Sequence, residues 1–534
     1  MTTALAATPL LQTDRVSTCR RLMDLLLVGL LAFSVGAFGS TEAWSMQITA
    51  LLAAALALVV AVDGMLRPSL APVRTWAYLP IALFVALVLL QLFPLPEGLL
   101  RLLSPGTVAL RADLSAGVAP QTTPGATLSL YPPATWRDLR VILLASCVFV
   151  VVLHAVRTAR QVEATLGIIA GVGTTVALFA LYQNLTGTRY IYGGVEVQHP
   201  ASGPFANHSH FSQFMNLCVG AGVALLLARL THLERRGYRI RHLLRAPLRQ
   251  PRLTVHLLIV GVVLSAAMMC LSMSRGGVVS LAVALVLVIG LLVWRRGIDR
   301  RVSVLLSVAL LVLTVLTWIS FDAVYERLAT LHRVEEASGS RFEILRDLAV
   351  AWRQFPVLGT GLGTHEFIFP LFDRSTVPTL ATHAENEYAQ LMLECGLVGV
   401  VLMTAFVAVV FGNLTRALRG RRSVHVAGYG VLLGLVAVMV HSATDFGQHV
   451  PAVAVLTAVL AAVAVRLPRL EPGRDDDAEG FEWAADSGRR GRAGAAWVPP
   501  TLAAGVLAAC VLSLNAPRVA EAADLTARRY ADAL

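Results

Sequence analysis

Five short polar stretches stand out in a chain of 534 residues that is otherwise mostly apolar. Ser274-Arg275-Gly276-Gly277 sets a guanidinium beside two glycines. The planar donor fork of arginine matches phosphate oxygens, and glycine lets a ligand come close to the backbone. Taken alone, the same four residues equally describe a snorkelling arginine in a tight turn. Arg341 and Arg346 precede Pro356-Val357-Leu358-Gly359-Thr360-Gly361-Leu362-Gly363-Thr364, a glycine-rich turn whose N–H groups suit an anion. Its spacing is not a dinucleotide fingerprint, and by itself an ordinary turn is the simpler reading. Thr382-His383-Ala384-Glu385-Asn386-Glu387-Tyr388 puts His383 four residues before Glu387, on one face if the helix starts early. A histidine beside carboxylates takes a proton near neutral pH. A metal is a weak reading there, because the pair lacks a clear third ligand. The last two stretches are Gly203–Phe211, with Asn207 and His210, and His441–Phe446, with Asp445.

The elements that must position these residues are membrane helices. The chain is 56% hydrophobic and 14% charged, with a mean hydropathy of +0.69. A soluble fold, about 25% charged on average, cannot hide so much apolar surface. The expected fold is all-α and polytopic, with about thirteen spans of roughly 20 residues. They fall at 22–39, 44–62, 76–93, 138–156, 162–182, 211–229, 253–273, 278–294, 302–320, 390–411, 424–443, 449–466 and 496–515. The resulting organisation is an N-terminal segment 1–21, spans over 22–320, a large loop 321–389, spans over 390–466, a linker 467–495 that reads as disordered, a last span 496–515 and a tail 516–534. Residues 334–353 alternate apolar and charged groups at helical spacing, which predicts an amphipathic helix at the surface within a partly helical cap.

Arginines orient the spans. Clusters at Arg20–Arg21, Arg67–Arg74, Arg157–Arg160, Arg235–Arg252, Arg295–Arg301, Arg416–Arg422 and Arg489–Arg492 all fall on one side, which is expected to be cytoplasmic. The N-terminus is then inside, behind a retained signal anchor, and all five polar stretches face outside. Independent structural accidents would have split between the two faces.

The net charge of +11 comes with no lysine at all. That excludes a Walker phosphate loop and Schiff-base chemistry. The arginines sit between apolar runs as topology signals, so nucleic acid is not an expected partner. The cysteines, Cys19, Cys147, Cys218, Cys270, Cys395 and Cys510, form no metal or disulfide spacing and read as small buried hydrophobes.

Together the motifs resemble the O-antigen ligase and O-antigen polymerase family of bacterial envelope enzymes, over about residues 140–465. The resemblance rests on Gly203-Pro-Phe-Ala-Asn207 with His210, on Ser274-Arg275-Gly276-Gly277, on Arg341 with the glycine-rich turn, and on His441 to Asp445. It is strongest from His383 through Glu394-Cys-Gly396 to Gly399. Ala384 departs from the family pattern, in which asparagine often follows the histidine, and this leaves open what Asn386 does. The resemblance implies a glycosyltransferase of the inner membrane, working at its periplasmic face in lipopolysaccharide biosynthesis. It implies a glycan donor on undecaprenyl pyrophosphate and a sugar-hydroxyl acceptor. For a ligase the acceptor is lipid A-core; for an O-antigen or exopolysaccharide polymerase it is another lipid-linked glycan. It implies neither cofactor nor metal. Arg275 and Arg341 would hold the diphosphate, His383 would act as base, and Asn207, His210, Glu385, Asn386, Tyr388 and Asp445 would support them. A lipid-linked glycan transporter is a poorer fit, because it would place charged or broken helices near mid-membrane in related halves.

Overall fold

The computed structural model of the chain describes residues 9–67, 72–115, 126–197, 202–237, 252–296, 301–312, 314, 334–374, 381–420 and 423–470. It is a helical bundle. In order come α1 (Pro9–Gly36), α2 (Ala43–Leu66), α3 (Tyr78–Leu92), α4 (Glu97–Leu103), α5 (Pro105–Leu114), α6 (Pro132–Ala155), α7 (Ala159–Thr186) and α8 (His208–Arg235). Then follow α9 (Arg252–Leu271), α10 (Arg275–Arg296), α11 (Arg301–Val312), α12 (Val334–Trp352), α13 (His365–Ile368), α14 (Glu387–Ala417), α15 (Ala427–His441) and α16 (Pro451–Arg466). The strands among the described residues form one two-residue hairpin, with β1 (Tyr190–Ile191) antiparallel to β2 (Val195–Glu196) and Tyr190 opposite Glu196.

Among the described residues, nine helices are long and apolar enough to cross a membrane, fewer than the expected thirteen or so. The runs at 22–39 and 76–93 coincide with α1 and α3, and the described part of the run at 302–320 with α11. However, α3 and α11 are short, and α1 carries Arg20, Arg21 and Asp24. Arg20 offsets that charge internally by donating to Asp24 at 2.5 Å and to the Ala155 carbonyl at 3.1 Å. The run at 496–515, the tail and nearly all of the linker lie outside the described residues. The amphipathic helix predicted over 334–353 is α12.

Two helices are wrapped by the rest: the apolar window of α8 is 94% buried and that of α16 is 89% buried. Small residues let α8 and α15 touch backbone to backbone. A Cβ added at Gly220 would lie 2.5 Å from the Gly434 Cα, and Gly430 lies against Ala224. Such small-residue crossings give membrane helices their van der Waals contact where no hydrophobic drive exists. The main core then runs through Leu30, Leu153, Phe211, Phe214, Leu456 and Leu460. The starts of α6, α8, α10, α14 and α16 and the end of α15 thus come to one end of the bundle.

Candidate functional site

At that end, four of the five polar stretches converge around Phe446. Asn207 caps α8 by accepting from the Ser209 N–H at 2.8 Å, as the residue type favours. The cap presents Ser209 and His210. Ser209 Oγ is 3.1 Å from His441 Nε2 and 3.4 Å from Ser274 Oγ. The turn at Ser274–Gly277 is held from below by the buried Asn216, which donates to the Gly277 carbonyl at 3.1 Å. Gly276 is pressed so closely on His441 and Thr444 that a Cβ there would lie 2.7 Å from Thr444 Oγ1. Arg275 therefore opens α10 beside the α15 terminus. Asp445 sits 3.5 Å from His210 Nε2 and 3.9 Å from His441 Nε2, and its side chain is 1% exposed. Burial pushes its carboxyl up, but bonding to His210 and the charges of His210 and His441 hold it below the usual range.

The His383 stretch reaches the same place from the other side. Its ring stacks on Phe446 at 3.8 Å and 6°, while His210 meets the same Phe446 edge-on at 4.7 Å. The helix does not start early enough to put His383 and Glu387 on one face. Asn386 is the N-cap, accepting from the Ala389 N–H at 3.0 Å and donating to the Ala443 carbonyl at 2.9 Å. Glu387 turns instead to His449, 3.1 Å from its Nδ1, and accepts from the Gln448 N–H at 2.6 Å. Tyr388 donates to the Met439 carbonyl at 2.6 Å, which ties α14 to α15. Glu385 adopts φ 51°, a left-handed conformation unusual for a non-glycine residue. Burial pushes His383 down to about 2, helped by the charges of His449, His365, Arg137 and His210.

The glycine-rich turn does bind a carboxyl group, but that group is the protein's own. Glu394, 1% exposed, accepts from the N–H of Gly363 at 2.8 Å, of His365 at 3.2 Å and from Gln390 Nε2 at 3.0 Å. The turn also fills a break in α14. Gly396, with φ 61°, opens the helix there. Thr360 and Gly361 donate to the carbonyls of Leu393 and Glu394, while Leu397 and Val398 donate to Pro356 and Val357. Gln91 of α3 clamps the joint, donating to Leu358 and Glu394 carbonyls and accepting from the Leu362 N–H. His365 packs beneath on Phe369, and burial lowers it to about 4.

Several residues of this region were not singled out from the sequence: Gln91, Arg137, Asp138, His365 and His449. Arg137-Asp138 at the head of an apolar run was a legible signal. His449 had none beyond following Asp445-Phe446. Arg341 lies on α12, but its side chain is outside the described residues. Arg346 pairs with its neighbour Asp347 at 3.0 Å. Asp138, Glu394 and His449 offer ligand atoms all within 4.8 Å of one another. Both Glu394 oxygens already accept N–H bonds, His449 Nδ1 faces Glu387, and Gln390 Nε2, which donates to Glu394, lies 3.2 Å from His449 Nε2, so Glu394 and His449 are tied through Gln390.

From this cluster a groove of about 310 Å³ runs down between α3, α6, α14, α15 and α16. Asp138, Glu387, Glu394 and His449 form its polar head; Phe84, Phe149, Leu402, Phe406 and Val438 line its apolar length. A polar head above an apolar slot suits an amphiphile whose headgroup sits at the membrane surface.

Fold and site together define a multi-span membrane protein with a cationic and acidic cluster at one end of its bundle. Residues 260–404 match the family model described as O-antigen ligase. The match supports a membrane enzyme of the O-antigen ligase or polymerase type. No curated protein sequence matches the chain.

Proposed function

We propose that this chain is an O-antigen ligase that transfers a glycan from undecaprenyl pyrophosphate to a sugar hydroxyl of lipid A-core. The observation that carries the reading is the groove whose apolar length ends at Asp138, Glu387, Glu394 and His449. A polyprenyl chain fits the apolar part, and its diphosphate then lies at the end of the bundle where the polar stretches converge. Arg275 and Arg341 hold the diphosphate by charge-assisted bonds that strengthen as the leaving group gains charge. His383 takes the acceptor proton. The acceptor oxygen forms its bond to the anomeric carbon, the bond from that carbon to the phosphate oxygen breaks, and the electron pair leaves on the diphosphate. Attack from the face opposite the leaving group inverts the centre. Asn207, His210, Glu385, Asn386, Tyr388 and Asp445 shape the surroundings. The arginine clusters support an inner-membrane protein with the site on the periplasmic side and the N-terminus and the 238–250 connection inside.

The test is envelope glycan analysis in a strain whose only copy carries His383→Ala, at matched membrane levels. Full-length glycan accumulating on undecaprenyl pyrophosphate, with bare lipid A-core, is the expected result. Single repeat units on lipid A-core would instead make the enzyme a polymerase. An unchanged profile would remove His383 from the chemistry.

A further inference from the structure

We propose that Gln390 is a positioning residue for His383: its side-chain amide clamps the peptide bond that follows His383 to the Glu394 carboxyl group held in the glycine-rich turn, so the scaffold sets where the ring is presented. The inference rests on His383 being the base, and it deepens that reading by naming what holds the base in place.

Gln390 lies in the first turn of α14 and is 2% exposed. The Ala384 N–H donates to its Oε1 at 3.1 Å. A backbone N–H can only donate, so the amide oxygen must face Ala384 and the amide nitrogen must face the other way. On that side Nε2 donates to Glu394 Oε1 at 3.0 Å and lies 3.2 Å from His449 Nε2. Glu394 in turn accepts from the N–H groups of Gly363 and His365. One side chain therefore joins the His383 loop, the glycine-rich turn and the segment that leads into α16.

The Ala384 N–H belongs to the peptide bond between Ala384 and His383. Holding that plane holds the backbone on which the imidazole is mounted. The Ala384 methyl is anchored too: the residue is 1% exposed, in one apolar cluster with Leu348, Ala351, Phe369 and Leu393. The His383 ring itself is stacked on Phe446 at 3.8 Å, and its Nδ1 lies 3.2 Å from the Thr382 hydroxyl. Stacking fixes the plane of a ring but lets it slide in that plane. The peptide clamp sets how far along Phe446 the ring sits. A base has to come within about 2.6–3.2 Å of the group it deprotonates, so a slide of an ångström takes it out of reach.

The post needs an acceptor at one end, a donor at the other and the reach of glutamine. Glutamate would set an oxygen against the Glu394 carboxyl group. Methionine has the length without either polar group. Asparagine has both groups and is one methylene short.

The experiment uses full-length protein in nanodiscs and reads the clamp and the chemistry separately. Hydrogen exchange, followed by mass spectrometry, should show the Ala384 amide exchanging about five- to tenfold faster in Gln390→Met, with peptides from 398–417 unchanged. Transfer per folded enzyme should lose about 10- to 100-fold in kcat, with KM for the lipid-linked donor unchanged. In a His383→Ala background, Gln390→Met should cost no more than about twofold further, because it acts through a group already removed. Gln390→Asn should show the same pattern at smaller size, and it carries the test if Gln390→Met does not fold. Unchanged exchange at Ala384 overturns the proposal. So does exchange that rises throughout the bundle, or a loss confined to KM. Losses that multiply in the double variant also overturn it, since Gln390 would then act by another route. Full transfer in His383→Ala would sink the base reading instead, and exchange at Ala384, which needs no turnover, tells the two failures apart.

Discussion

The joint between the glycine-rich turn and α14 and the cluster around Phe446 lie side by side and use polar groups in opposite ways. In the joint, backbone meets backbone. Thr360, Gly361, Leu397 and Val398 donate across it, and the carboxylate of Glu394 takes two N–H groups of the turn. In the cluster, charges stand at longer range: His210 at 3.5 Å and His441 at 3.9 Å from Asp445, His449 at 4.0 Å from Asp138. Closed hydrogen bonding fixes a shape, because each buried group left unpaired costs about 1–3 kcal/mol. Longer charged contacts fix less and leave field to spare for a ligand. The glycines are therefore scaffold, and the clustered polar groups come from six helix ends that the scaffold aligns.

The comparison breaks first on function. Arg275→Ala should cut glycan transfer by about 10²–10³-fold, the loss seen when a donor to a developing anion is removed, with thermal stability of the purified protein little changed. Arg275→Lys should stay impaired, since the fork geometry is lost. Wild-type rates in Arg275→Lys would reduce its role to simple charge.

The scaffold side should fail as folding. Gly359 has φ 72°, and a Cβ there would strike the Glu394 backbone. The left-handed strain alone costs about 1–2 kcal/mol, and the clash adds to it. Gly359→Ala should lower the yield of folded protein and its melting temperature before any kinetic defect can be measured. If Gly359→Ala folds normally but loses transfer, the turn belongs to the site after all.

Gln91→Leu should be milder. The side chain is fully buried and makes three bonds to the joint, at 2.8, 2.9 and 3.1 Å. The Glu394 carbonyl keeps its bond from Gly361. The loss should be about 2 kcal/mol, read as a lower melting temperature with transfer by the folded fraction preserved.

The gathering of four polar stretches at one end of the bundle was legible in the sequence, because arginine clusters and apolar lengths obey simple rules. The sequence made Arg275, His383 and Asp445 visible as isolated polar groups at run ends. It could not reveal which helix end faces which. His383 and Glu387 look like partners by spacing, but the Asn386 cap separates them and His449, 62 residues beyond Glu387 in the chain, takes the carboxylate. Likewise, a run of alternating glycines reads the same whether it wraps a ligand or a broken helix. The deciding residue is Gly396, whose conformation local propensity does not announce.

The last effect is on the pH dependence of stability, and it has two signs. His449 is raised from 6.5 to about 10 in the fold. Its contribution is complete below 6.5 and drains away as pH climbs through about 10. His383 is lowered from 6.5 to about 2. The fold therefore holds it neutral, which costs nothing above 6.5 and an increasing amount as pH falls toward 2, where the unfolded chain binds the proton first. Melting temperature in micelles should crest near 6.5 and decline on both sides. His449→Gln should flatten the alkaline side and, by lifting His383 toward its ordinary value, soften the acid side as well. Loss of only the alkaline slope would mean that the two imidazoles do not sense each other across 5.4 Å.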